Sequence, residues 1–323
     1  MTEAQFVAQR STRWGVFERT LAEHPKRRFL RQLRETVGFP GAYRGICRDL
    51  NYARAERYSL ELIERLNRLV WSGHHLLYNT RTFSPRSAIR FFTEGYPRAV
   101  RRFWRGLLLC HLLFYGLIAL TYLFAAGSEA RASLILGESG AQSILEMYDP
   151  SSPHFLKPRG VTTDADMFGF YIQNNVSLGF RTFAGGALAG IGSFVVLAYN
   201  ALVLGAAIAL ISAAGYGSTF FPFIVGHAAF ELTAIIIFSL SGFMLGRSLL
   251  APGRLTRAEA LRSAGREVLP LVVGAAIFLF IAACIEAFWS ARITADTTKL
   301  VVASVLWISV FLFFLLGGRG ERR

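Results

Sequence analysis

Residues 183–214 read FAGGALAGIGSFVVLAYNALVLGAAIALISAA, 32 positions without a charged side chain. A helix rises 1.5 Å per residue and a hydrocarbon core is about 30 Å thick, so a span takes about 20 residues. The stretch is too long for one untilted span and short for two. Its surroundings decide the count. Residues 1–105 hold 21 of the chain's 35 basic residues, and Arg247, Arg254, Arg257, Arg262 and Arg266 separate two later apolar runs, Phe223–Leu245 and Val268–Trp289. Basic residues next to span ends mark the cytoplasmic face. With both basic segments on that face, an even number of crossings lies between them. Leu107–Ala126 and Phe223–Leu245 supply two, so 183–214 crosses twice or not at all. The expectation is a hairpin, either two short helices meeting near Asn200 or a re-entrant pair with Asn200 at its tip. Irregular backbone at that depth persists only inside protein or beside a water-filled cavity, which places the hairpin within the bundle. Gly186/Gly190 and Gly242/Gly246 are small residues four apart, the spacing that lets membrane helices approach closely.

Leu300–Gly317 completes about four full spans besides the hairpin. The fold class is therefore all-α, a polytopic transmembrane bundle with an N-terminal cytoplasmic helical domain. The expected divisions are that Arg-rich domain at 1–105, a membrane domain at 106–318 with an outer loop at 127–166, and a basic cytoplasmic tail at 319–323. Composition agrees, since 53% of the residues are hydrophobic, 17% are charged and mean hydropathy is +0.39, against about 25% charged in soluble domains. In residues 1–105, 21 basic residues stand against nine acidic ones and leave the segment at +12. That charge beside a span is read as topology and attraction to anionic lipid, so the expected partner is membrane lipid and not nucleic acid. In 127–166 six acids outweigh three bases, which suits the outer side. Within 1–105, apolar residues at helical spacing, such as Leu60, Ile63, Leu66 and Leu69, give helices broken at Pro25, Gly38–Gly41 and Ser84-Pro85. The segment 90–105 is expected to lie along the membrane surface before the first span. The opening MTEAQFVAQRSTRW has no apolar signal core. Cys47, Cys110 and Cys284 have no disulfide or metal-ligand spacing.

Ionisable groups within a bilayer are expensive and face the bundle interior. His227 and Glu231 stand four apart in VGHAAFELTAIII and share one helix face. Glu286 lies at similar depth in the next span. Asn174, Asn175 and Asn200 add amides on segments bordering the same place, so these six residues form a candidate polar intramembrane site. Imidazole and carboxylate suit a metal ligand, a proton relay or a substrate contact; they equally suit a pair that locks the hairpin structurally. Whether this site takes a metal is left open by the spacing, and no cofactor is indicated. No nucleophile elbow, phosphate loop or HExxH zinc pattern occurs, so the chain is read as a non-enzyme without catalytic residues.

These residues resemble the stage II sporulation protein M family in its longer form from bacteria that do not sporulate. The resemblance rests on Asn174-Asn175, the Gly185–Gly192 stretch, Asn200-Ala201-Leu202-Val203-Leu204-Gly205, Gly226-His227 with Glu231-Leu232, Gly242 with Gly246, and Ile285-Glu286-Ala287-Phe288. YRGICRDLNYAR, LNRLV and HHLLY look like the family's N-terminal helical region. Two positions depart from the family pattern: its Asn-Gly turn is Asn200-Ala201 here, and its Pro-His-Gly is Gly226-His227-Ala228. The resemblance implies a subunit of the inner membrane that anchors and organises peptidoglycan-degrading partners of the cell envelope without being a hydrolase. A transporter or channel-like protein using the His/Glu site is the alternative, and self-association is open. Both termini are expected in the cytoplasm.

Overall fold

The computed structural model describes residues 1–22, 38–78, 84–152, 161–292 and 294–319. The expected break at Pro25 and the tail beyond Arg319 lie outside them. Helix makes up 88% of the structure, with no strand among the described residues. The chain forms two compact units, Met1–Ser87 and Ala88–Arg323.

The first unit packs α1 (Glu3–Ala22), α2 (Phe39–Ala55) and α3 (Leu60–Tyr78) around Phe6, Trp14, Phe17, Ile46, Leu50 and Leu66. Within this apolar core Asp49 is buried and accepts bonds from Arg10 at 2.8 Å, Arg13 at 2.6 Å and the Trp14 indole N–H at 2.9 Å. A buried carboxylate needs such donors to offset its lost hydration. Those bonds also tie α1 to α2.

Helix α4 (Pro85–Arg90) starts in the last residues of the first unit and runs into the second, where a π-turn (Phe91–Gly95) and α5 (Tyr96–Arg102) lead into α6 (Trp104–Ala125). The short helices α7 (Glu129–Leu136) and α8 (Glu138–Tyr148) follow, then α9 (Val161–Ala184), α10 (Ile191–Ala214), α11 (Gly217–Leu250), α12 (Arg257–Ile285) ending in a π-turn (Glu286–Ser290), and α13 (Asp296–Leu316). By length and composition α6, α10, α11, α12 with its π-turn, and α13 are each able to cross a membrane. Leu108, Leu109, Leu112, Leu120 and Leu123 on α6, with Val301, Val305, Ile308 and Phe311 on α13, are exposed. These faces contact lipid. Helix α11 is the central element, packed on α9, α10, α12 and α13.

The hairpin exists, but not where the sequence placed it. Helix α10 runs unbroken through Asn200, whose side-chain amide donates to the Val196 carbonyl at 2.7 Å and so sits inside the helix. The chain turns instead at 185–190, where Gly190 adopts φ +87° in the left-handed region, and the first arm is α9. Two full-length arms replace two short ones because α9 recruits 161–184, a segment too polar to stand out by hydropathy. Its polar residues are accommodated because one face packs against α11 and α12. The turn is tight. A Cβ on Gly185 would lie 2.5 Å from the Gly192 carbonyl carbon, and one on Gly186 or Gly246 would collide with the backbone of Gly242 or Gly190 respectively.

Segment 96–102 does not lie free on a surface. Tyr96, Pro97 and Val100 are buried, and the Tyr96 ring meets Phe278, Phe313 and Phe314 at centroid distances of 5.4–6.1 Å. Arg101 donates to the carbonyls of Phe314 at 2.5 Å and Gly317 at 2.6 Å, capping the last turn of α13. Arg98, Arg101, Arg247, Arg257 and Arg266 thus gather at one end of the bundle, together with the 185–190 turn. The other end carries α7, α8 and the starts of α9, α11 and α13.

Candidate functional site

Three elements bring the expected site residues together. Helix α11 carries His227 and Glu231 one turn apart, with Nε2 to Oε2 at 3.9 Å. The π-turn closing α12 contributes Glu286 and Ser290; such a turn admits an extra residue and shifts which side chains point inward. Helix α9 contributes Asn174 and Asn175, whose side chains bond to each other at 3.1 Å, and the Asn175 amide donates to Glu286 Oε2 at 3.4 Å. Ligand atoms of His227, Glu231 and Glu286 all lie within 4.8 Å of one another.

All six polar residues, Asn200 included, line one cavity of about 1060 Å³ between α9, α10 and α11. Helices α9 and α10, joined at the 185–190 turn, line the cavity together with α11. The cavity extends to the end of the bundle where Tyr148, Ser218 and Asp296 stand. Apolar side chains, among them Phe114, Leu178, Val203 and Ile235, complete the walls. Pro222 lies in the first turns of α11. It can donate nothing to the carbonyl four residues back, which belongs to Ser218, another lining residue.

His227 is oriented from behind. Its Nδ1 lies 3.1 Å from the Ser290 hydroxyl, the Ser290 carbonyl accepts from Lys299 Nζ at 2.9 Å, and Phe223 packs edge-on to the imidazole at 5.7 Å. This leaves Nε2 directed at Glu231 and the cavity. Near the mouth Arg292 bonds Asp164 at 2.7 Å and Thr219 donates to the Tyr148 carbonyl at 2.6 Å, fixing the starts of α9 and α11.

The packing glycines are placed apart from this cavity. Gly186 faces Gly242, and Gly190 faces Gly246. Here the hairpin turn rests on α11 with backbone against backbone.

A family model described as stage II sporulation protein M matches residues 109–291, a stretch that includes every one of the six polar residues and all four packing glycines. The chain belongs to that family. A second family model, described as a domain of unknown function, matches residues 4–79 in the first unit. No curated protein and no solved structure matches the chain.

Four further lining residues, Tyr148, Tyr171, Asp296 and Lys299, escape a reading of the sequence, as does Ser290 behind His227. Tyr171 was within reach, since it stands one turn before Asn175 on the same helix face. Ser290 was not, because the π-turn that aims it is set by packing and leaves no composition signal.

Proposed function

We propose that the protein is a non-enzymatic scaffold of the inner membrane that holds the transmembrane helix of a cell-envelope partner against α9. The observation that carries this is the outer face of α9, where Asp166, Gly169, Gln173 and Arg181 are exposed with Ser177 half-buried beside them. At 100° per residue these five positions fall on one stripe, which also carries the exposed Phe170 and Phe180 and lies opposite the buried Asp164, Tyr171, Asn175 and Thr182. Amide, hydroxyl and glycine positions facing hydrocarbon are unfavourable, whereas small and polar residues are what membrane helices use to hold one another. The family's role as an organising subunit in spore formers points the same way. In this reading the basic end of the bundle is cytoplasmic, by the distribution of Arg, and the cavity faces outward.

The test is a photo-crosslinking amino acid introduced in living cells at Gln173 and, as the lipid-facing comparison, at Leu109. Position 173 is expected to give a discrete adduct whose second component is a different envelope protein, with no such adduct from 109. An adduct at 173 consisting only of lipid, or of a second copy of this chain, would remove the partner-helix reading.

The cavity favours a second reading, in which the polar cluster lies on a route for a solute or proton. Its prediction is pH-dependent flux in proteoliposomes that is lost in Glu231→Gln. Flux equal in the variant and the parent would exclude that route.

A further inference from the structure

Two carboxylates and an imidazole converging at the base of a membrane cavity are a charge problem before they are a site. Ionised Glu231 and Glu286 with a neutral His227 carry two negative charges where the dielectric is low. Asn175 brings a neutral amide to Glu286, and Lys299 directs its ammonium to the Ser290 carbonyl. Asp296 and Glu146 add further acidic groups to the cavity lining. A divalent cation among the three would bring the set to neutrality.

We propose that His227 Nε2, Glu231 and Glu286 bind one divalent transition-metal ion, of the zinc class, at the base of this cavity. Mixed imidazole and carboxylate donors are the set used by such ions, while magnesium and calcium sites are built from oxygens. The imidazole is already prepared as a ligand. In metal sites the second ring nitrogen is held by an acceptor, which fixes the tautomer and directs the other nitrogen to the ion. Ser290 occupies that position behind Nδ1 at 3.1 Å; with its hydroxyl accepting from Nδ1–H, the opposite nitrogen would present its lone pair toward Glu231. The 3.9 Å between Nε2 and Oε2 is too long for a hydrogen bond. Ligands about 2.0–2.2 Å from a tetrahedral zinc ion lie about 3.4 Å apart. The set, within 4.8 Å overall, reaches that spacing with at most about 1.4 Å of carboxylate movement. Asn175, bonded to Glu286, then steadies a ligand in the way Ser290 steadies His227.

The ion would join the π-turn of α12 to α11 and, through Asn175, to α9, the helix that carries the proposed partner face. Three protein donors leave coordination positions open to the cavity, where water or an oxygen group of a ligand completes the shell. The inference stands on the cluster's geometry and does not depend on the scaffold reading.

The test uses the full-length chain in detergent, carrying a tag without histidine, stripped by chelator and dialysed against zinc alone. Metal content by plasma emission is expected to approach one zinc per chain. His227→Gln, Glu231→Gln and Glu286→Gln should each weaken retention about tenfold or more, while His111→Gln, on α6 and hydrogen-bonded to the Leu107 carbonyl, should retain the ion. Thermal unfolding of each stripped variant establishes that it is folded; zinc should raise the midpoint of the parent and of His111→Gln but not of the other three. Cobalt(II) provides an independent readout through visible absorption bands that the three ligand variants lose. Zinc at background level in the parent, or retained equally by the folded ligand variants, would overturn the site.

Discussion

At the scale of single residues, burial without a partner identifies what is tuned and what is merely tolerated. The Tyr96 hydroxyl is buried and finds no hydrogen-bond acceptor among the described residues, although its ring fills the space between Phe278, Phe313 and Phe314. An unsatisfied buried polar group costs about 1–3 kcal/mol. Tyr96→Phe should therefore raise the melting temperature in detergent, and a fall would show that the hydroxyl has a partner. Gly274→Ala should do the reverse, because its new methyl would enter the Tyr96 ring, an overpacking cost of about 1–3 kcal/mol. The His227/Glu231 pair is a matter of coupling. A double-mutant cycle with His227→Ala and Glu231→Gln should give an interaction of about 0.5 kcal/mol or more in thermal stability. Strictly additive losses would mean that the two residues share a helix face and nothing else.

At the scale of elements, the decisive contact is the hairpin turn on α11. Leucine at 186 or 190 meets different obstacles. At 186 it strikes the Gly242 backbone, and at 190 it must also adopt a left-handed φ that side chains disfavour. Gly186→Leu and Gly190→Leu should each lower detergent stability by about 1–3 kcal/mol or more. Retained stability in either would show that the turn has moved off α11. A second junction lies in the first unit, where Glu3 accepts from the Ser59 backbone at 2.8 Å and its hydroxyl at 2.5 Å, tying α1 to the start of α3. These bonds hold the Glu3 carboxyl below its ordinary value of 4.5. A depressed folded value stabilises above that ordinary value and the contribution disappears as pH falls through the depressed one. Hydrogen exchange at residues 59–63, corrected for its intrinsic pH dependence, should accelerate as pH falls below 4.5. Glu3→Gln should show no such acid-dependent step.

At the scale of the whole molecule, the arrangement predicts one sidedness for all its parts. Single cysteines at 138 on α8 and 257 at the start of α12 lie at opposite ends of the bundle. A membrane-impermeant reagent added to intact cells should label position 138 and leave 257 untouched until the membrane is opened. Labelling of 257 from outside would invert the orientation and turn the cavity toward the cytoplasm. Among the described residues three candidate spans, α6, α10 and α11, lie between the basic N-terminal segment and the 247–266 loop, an odd number that makes this informative: with both segments on one side, α9 must cross as well. A cysteine in the 185–190 turn should then be protected together with 257.

The sequence by itself determined the class of fold and the apolar helices, and it singled out the six polar residues that line the cavity. These are local properties, expressed in runs of apolar side chains, in the Arg bias at span ends and in the four-residue spacing of His227 and Glu231. It also identified the glycines that let backbones touch, because small residues at helical spacing have few other uses in a membrane. The location of the hairpin was decided only by tertiary structure. The break falls at Gly185–Gly190 and not at Asn200, since α9, too polar to be read as a span alone, becomes one when α11 and α12 cover its buried face. The cavity and the backing of His227 by Ser290 were decided there too. Both depend on how α9, α10 and α11 pack and on a π-turn at Glu286, and neither is fixed by the residues next to it in the chain.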